Sequence, residues 1–266
     1  MKASAASDSL SSVGQLTDKK NEEGMSTIDR HQAEHFGKMA EEWWNPFGSS
    51  AMLHRMNPAR LSYIRSAVDR HFSRVIDNIK PLSGKKALDI GCGAGLLAEP
   101  LTRLGADVTG MDAAAENIAV AKQHADQQNL KINYLTGGME SLGRERFDLI
   151  TAMEVLEHVA DPQEFINEIA DKLKEDGLLI LSTPNRTLLS RLMIIDIGET
   201  LGGIPTGTHD WNRFLKPEET QHFMENAGLR ITHIMGLIWS PIRGFILTEN
   251  KAVDYLLTAQ KNNAKL

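Results

Sequence analysis

Three side chains able to bind protons or metals stand at helical spacing in the segment Met-Glu-Val-Leu-Glu-His, where Glu154, Glu157 and His158 occupy positions i, i+3 and i+4. On one helical turn they share a face. Two carboxylates with an imidazole suit a divalent ion such as Mg²⁺, Mn²⁺ or Zn²⁺, with coordination positions left open for a substrate. Without a metal, the same turn leaves His158 as a proton acceptor or as a packed side chain. His209 stands beside Asp210 in a loop; it is a general base if it faces a cleft and an ordinary solvated residue if it does not. A further constellation binds rather than reacts: Asp89 precedes Gly91, Gly93 and Gly95, which follow the apolar run Ala-Leu-Asp-Ile. Glycine removes the Cβ that would block close approach, and the N-terminus of a following helix offers free N–H groups to a nucleotide-like ligand.

That glycine turn reads in two registers. From Gly93, the run Gly-Ala-Gly-Leu-Leu-Ala satisfies a relaxed dinucleotide fingerprint, with Asp112 placed where a ribose-binding acid is expected. From Asp89, the pattern DxGxGxG resembles motif I of the class I S-adenosylmethionine (SAM) methyltransferases, where an acid precedes the first glycine. On that reading Asp112 accepts from the ribose hydroxyls, its alternative being a cap for the helix after it. Met139 lies over the adenine, and Met153 lies beside the methionine or adenosine part of SAM. Cys92, inside the turn, reads as a small packed side chain.

The elements that must position these residues alternate. Strands are expected at 86–90, 107–111, 131–135, 147–152 and 177–183, with helices at 94–104, 114–127 and 162–174 between them, which describes a parallel sheet. A helix at 217–227 and strands near 229–236 and 244–248 follow. The result is a Rossmann-like α/β fold with a mostly parallel seven-stranded sheet and an antiparallel edge. An amphipathic stretch at 253–257 packs back on the sheet or extends to a partner. Ahead of this domain (81–266), residues 27–80 read as a helical cover. Its first helix covers 26–44, and its second starts at Asn57-Pro58, where Asn caps and Pro takes the first helical position. Residues 1–26 read as a disordered leader. Within 186–212, the run Leu-Leu-Ser-Arg-Leu-Met-Ile-Ile-Asp-Ile-Gly-Glu-Thr-Leu at 188–201 is an apolar insertion, too short to span a bilayer and suited to an interfacial helix, a lid over an apolar substrate or plain packing.

Composition narrows the field. The 266 residues are 41% hydrophobic and 24% charged, ordinary for one sizeable α/β core, and the net charge of −6 argues against nucleic acid as partner. The single cysteine excludes an intrachain disulfide and a cysteine zinc cluster, which points to a reducing compartment. No run of 18 apolar residues exists, so no membrane-spanning helix is expected.

Taken together, the segments resemble the ubiquinone-biosynthesis O-methyltransferases over residues of about 27–260. The carriers are Trp43-Trp44, Leu53-His54-Arg55-Met56-Asn57-Pro58 with Arg60-Leu61, the motif at 88–95, Thr109-Gly110-Met111-Asp112, the Glu-His segment at 153–159, Ser182-Thr183-Pro184-Asn185-Arg186, Gly207-Thr208-His209-Asp210 and Phe214-Leu215-Lys216-Pro217. The chain departs from the family in a longer leader and in Pro184, where other members can carry Leu. The resemblance implies SAM contacts from Arg60, Gly91, Asp112 and Met153 and a divalent ion held by Glu154, Glu157 and His158. It also implies a polyprenyl catechol or hydroxyphenol as acceptor, both O-methylation steps, and a place in the bacterial cytoplasm at the inner membrane, with other enzymes of the pathway as partners. A phenol with a pKa near 10 is mostly protonated at neutral pH, so either the metal or a base, His158 or His209, must favour the phenolate. Three other readings stay open: a metal-independent SAM methyltransferase of another small metabolite, a nicotinamide-dependent dehydrogenase, and a lipid-binding scaffold with a vestigial nucleotide site.

Overall fold

The structure, a computed structural model, describes residues 27–37, 40–48, 50–72, 78–199 and 207–262. The leader expected at 1–26 lies outside the described residues. The core is an eight-stranded sheet in the order β3-β2-β1-β4-β5-β8-β6-β7. Its strands are β1 (Lys86–Ile90), β2 (Asp107–Asp112), β3 (Asn133–Thr136), β4 (Phe147–Met153), β5 (Leu173–Pro184), β6 (Leu229–Ser240), β7 (Gly244–Thr248) and β8 (Asp254–Lys261). The first five pair in parallel, and β8, β6 and β7 are antiparallel. The sheet thus has one strand more than expected. The stretch at 253–257 does not lie on the sheet but enters it as β8, where Tyr255, Leu256, Leu257 and Ala259 are fully buried between β5 and β6.

The helices are α1 (Arg30–Gly37), α2 (Ala51–Phe72), α3 (Ala98–Arg103), α4 (Ala115–Gln127), α5 (Pro162–Lys172), α6 (Leu188–Ser190), which runs on as a π-helix over Arg191–Glu199, and α7 (Pro217–Asn226). They cover both faces. On one face α2, α3 and α4 bury Ile64, Val68, Leu101 and Ile118; on the other α5 and α7 bury Phe165, Ile166, Ile169 and Met224. Burial of each such side chain contributes ~1.5–3 kcal/mol.

Strand β5 begins at Leu173 rather than 177 and β6 runs on to Ser240 rather than 236, and three helices start away from their expected positions. Helix α1 starts at Arg30 rather than 26 and ends at Gly37, with a separate 3₁₀ turn at Ala40–Glu42. Helix α2 begins at Ala51, six residues before Asn57, and carries Pro58 inside it. A proline fits the first helical position, but here the helix starts before it: Ala51 N–H bonds Gly48 O at 3.0 Å and His54 N–H bonds Ser50 O at 3.3 Å. Helix α3 begins at Ala98 rather than 94, because the positive φ at Gly93 and Gly95 keeps the chain in turns until it has passed them.

Candidate active site

At the carboxyl ends of the parallel strands lies a cavity of about 670 Å³, lined by the cover, the glycine turn, the ends of β2 and β4, and the π-helix. The cover is fastened to the glycine turn: Trp44 Nε1 donates to Ala94 O at 3.0 Å, its ring stacks on His124 at 3.5 Å, and Trp43 packs with Ala94 and Leu96. Of the three glycines, only Gly91 lines the cavity. Gly93 (φ 52) lies under Trp43, where an added Cβ would collide with the indole, and Gly95 lies against the Tyr134 hydroxyl. Gly93 and Gly95, expected as ligand contacts, thus stand outside the cavity lining and against Trp43 and Tyr134. The Gly93 N–H is instead spent on Asp112 Oδ2 at 2.9 Å.

Asp112 lines the cavity and is pinned from three sides, since its Oδ1 also accepts from Ala114 N–H at 2.9 Å and from Asn117 Nδ2 at 3.1 Å. Helix α4 has Ala114 as its cap residue, so Asp112 braces the turn without capping the helix. Burial holds its carboxyl above the usual range despite these donors. Asp89 is buried at the floor, with Oδ1 accepting from Thr151 Oγ1 at 2.7 Å and Oδ2 without a partner; burial pushes its pKa up to about 7. Met139, Met153 and Arg60 line the same cavity. Arg60 is 4% exposed; Nη2 stands 3.0 Å from Glu154 Oε1, yet neither Nη2 nor Nε makes a hydrogen bond, which leaves donors of a buried cation unspent.

The shared face expected for Glu154, Glu157 and His158 does not form. Glu154 has φ 56, outside the helical region, and only Leu156–His158 closes a short 3₁₀ turn. Glu154 is thereby swung toward Arg60 and Ser182, whose Oγ donates to it at 2.5 Å. Glu157 is buried away from the cavity lining, accepting from Thr183 Oγ1 at 2.8 Å, and its carboxyl is pushed up by burial and then by Glu154. Among the described residues no three His, Cys, Asp or Glu side chains converge as a metal set. As placed, these residues do not fit a divalent ion.

His158 does line the cavity, with its ring 5.0 Å from Phe36 and 5.8 Å from His209. Burial, then the neighbouring His209, Arg213 and His35, lower its pKa to about 3, so it is neutral at physiological pH. His209 also lines the cavity, but its partner is not the adjacent Asp210. The Asp210 carboxylate turns away to cap the next turn through Asn212 N–H at 2.9 Å. Glu199 takes that place: Oε1 lies 3.2 Å from His209 Nδ1 and accepts the His209 N–H at 2.9 Å, while Oε2 accepts the Gly207 N–H at 2.7 Å. Burial raises the Glu199 carboxyl, but the bonds from His209 and Gly207 outweigh it, and its pKa falls below the usual value. With Nδ1–H donated to Glu199, His209 presents Nε2 as a proton acceptor.

Glu199 has no signature in the sequence; it meets His209 only because the π-helix carries it back to the loop. Asp254 was legible in principle, as an acid inside the apolar run Val-Asp-Tyr-Leu-Leu. It is buried at the start of β8 and lines the cavity with Oδ1 unpartnered, its carboxyl pushed up by burial and then by Glu154. The insertion at 188–201 is helical as far as Glu199, and its remainder lies outside the described residues. Met193, Ile194 and Ile197 form an apolar wall of the cavity, while Leu188 is 77% exposed. No helix among the described residues is long and apolar enough to cross a membrane.

Residues 60–234 match the family described as a methyltransferase domain. The ubiquinone biosynthesis O-methyltransferase of Bradyrhizobium diazoefficiens is 44% identical over 238 residues, covering 88% of this chain and 94% of that protein. The protein of the same name from Nitrobacter winogradskyi is 45% identical, covering 88% and 91%. Among solved structures, magnesium protoporphyrin IX methyltransferase from Synechocystis with bound SAM superposes with a TM-score of 0.56 at 18% identity, covering 83% of this chain and 90% of that one, a likeness of fold.

Proposed function

Because the chain belongs to the methyltransferase-domain family and, within it, to the ubiquinone biosynthesis O-methyltransferases, we propose that its cavity transfers a methyl group from SAM to a ring hydroxyl of a polyprenyl catechol or hydroxyphenol. One observation carries the reading: a single cavity joins the buried polar end at Asp89, Arg60 and Asp112 to the His158–His209 pair and to the aliphatic wall of the π-helix. A zwitterionic ligand with a ribose fits the first part, where the unspent Arg60 donors suit a carboxylate, Asp89 Oδ2 an ammonium and Asp112 the ribose hydroxyls. Met139 and Met153 supply apolar, polarizable contact for the purine and thioether parts.

SAM brings the leaving group, so the chain has to hold the acceptor in line and remove its proton. In this proposal His209, set by Glu199, takes the hydroxyl proton at Nε2, and neutral His158 orients the ring by accepting from the neighbouring hydroxyl. The wall of Met193, Ile194 and Ile197 holds the start of the tail. The histidines address ring hydroxyls and no other substituent, which suits one site to both O-methylations. The exposed leucines of the π-helix segment then rest on the membrane that holds the substrate, at its cytoplasmic face.

A second reading has one observation in its favour: Glu157 Oε1 is unpartnered and stands 3.8 Å from His158 Nε2. Holding a cation there would need Glu154 to leave Arg60 and Glu157 to turn into the cavity, an arrangement these side chains do not have as placed. Labelled methyl transfer from SAM to a short-chain polyprenyl catechol and to the corresponding demethylated hydroquinol tests both readings. Label is expected in both acceptors and to persist in excess EDTA. Label in neither overturns the proposal, and loss in EDTA with recovery on adding Mg²⁺ favours the cation.

A further inference from the structure

Residues that both line a cavity and reach solvent mark its mouth. Two large apolar side chains do so here, from separate elements: Ile197 of the π-helix, 40% exposed, and Trp239 near the end of β6, 49% exposed. Trp239 pairs across the β6–β7 hairpin with Phe245, which also lines the cavity. Beyond that pair the chain turns through Pro241, Ile242 and Arg243, and Ile242 is 93% exposed, the most exposed large aliphatic among the described residues. The π-helix side mirrors this arrangement with Leu188 and Leu192, 77% and 47% exposed. Each side also carries an exposed arginine, Arg191 and Arg243, and neither guanidinium has a partner among the described residues.

We propose that the β6–β7 hairpin is a bilayer-contacting element that, with the π-helix, straddles the mouth and seats it on lipid. The inference rests on the reading that the cavity takes a polyprenyl acceptor. A tail held by Met193, Ile194 and Ile197 leaves between these two lips, so whatever faces the mouth must accept hydrocarbon. Trp239 has the amphipathic ring that sits at headgroup level. Ile242 lies past it, where an inserted side chain would be. Arg191 and Arg243 add positive charge at the mouth of a chain whose net charge is −6, which suits anionic headgroups. A protein strand added to β7, the edge of the sheet, is the rival occupant.

The test uses the full chain and vesicles of phosphatidylcholine containing phosphatidylglycerol, with Ile242→Glu and Leu192→Glu as variants. Wild type is expected to co-sediment, and Ile242→Glu to lose roughly tenfold or more in partitioning, the consequence of no longer burying one aliphatic side chain. Its methyl transfer to a short-tailed soluble acceptor is expected to stay at the wild-type rate, which shows the fold is intact. Brominated lipid is expected to quench tryptophan emission in wild type, and less so in Trp239→Phe. Equal partitioning of wild type and Ile242→Glu, with Leu192→Glu impaired, overturns the hairpin and leaves the π-helix docking in place. Wild type that does not sediment overturns both while leaving methyl transfer untouched. Unchanged partitioning together with a change of oligomeric state in Ile242→Glu assigns the hairpin to a protein contact and refutes the proposal.

Discussion

Removing the Glu199 carboxylate should disable His209 without touching the SAM end of the cavity. In Glu199→Ala the imidazole loses the acceptor 3.2 Å from Nδ1, and the loop loses the acceptor of the Gly207 and His209 N–H groups at 2.7 and 2.9 Å. A hydrogen bond to a charged group contributes ~1.5–3 kcal/mol. If the bond to Nδ1 acts fully in the transition state, its loss lowers kcat roughly 10- to 150-fold. The two backbone bonds fix the loop in the ground state as well, so their loss should raise KM for the acceptor and leave KM for SAM near wild type. Initial rates with labelled SAM, varied against each substrate, separate these effects. His209→Gln should cost at least as much in kcat, and the double variant should have a kcat no lower than His209→Gln, because Glu199 acts on kcat only through that ring. A Glu199→Ala enzyme within about twofold of wild type in kcat, or a double variant whose loss is the product of the single losses, would refute the reasoning.

Two further outcomes follow from the cofactor end. Gly93→Ala places a Cβ at φ 52, costing ~1–2 kcal/mol, and drives it into Trp43; it should lower Tm and weaken SAM binding measured by calorimetry, whereas Gly84→Ala, at φ 75 with open space around it, should show only the backbone cost. Asp89 has a folded pKa of about 7 against an ordinary 3.8, so its contribution to stability is present at low pH and is lost as pH rises through that interval, by at most about 1.4 kcal/mol per pH unit. The Tm of the ligand-free protein should therefore fall more steeply over that range in wild type than in Asp89→Asn, and parallel curves would contradict the burial argument.

What the sequence reveals about this chain is mostly what local chemistry decides. The apolar runs of β1, β2, β4 and β5 and the glycine turn have period and composition of their own, and they stand where expected. Pro58 and Glu154 mislead for opposite reasons. The proline satisfies a helix-start rule inside a helix that tertiary packing begins earlier. The Glu-His turn satisfies a helical spacing that a single residue at positive φ breaks. Asp210 shows the limit most sharply, because adjacency to His209 suggested a partner that the backbone turns away, while Glu199 arrives from an element whose π-helical winding no periodicity announces. Contacts decided by long-range placement leave no local pattern to read.

The position of β8 bears on when the protein becomes an enzyme during its own synthesis. The β6–β7 hairpin joins the sheet only through β8, and β8 also delivers Asp254 to the cavity. The parallel half can therefore assemble on the ribosome as its βα units emerge, but the part of the cavity wall that Leu237, Trp239, Phe245 and Asp254 supply waits for residues 254–261 to clear the exit tunnel and slide between two strands already made. Such insertion is a late, non-local pairing of the slow kind. Until it happens, β5 presents an open hydrophobic edge, the state in which this chain is most exposed to aggregation and most in need of a chaperone.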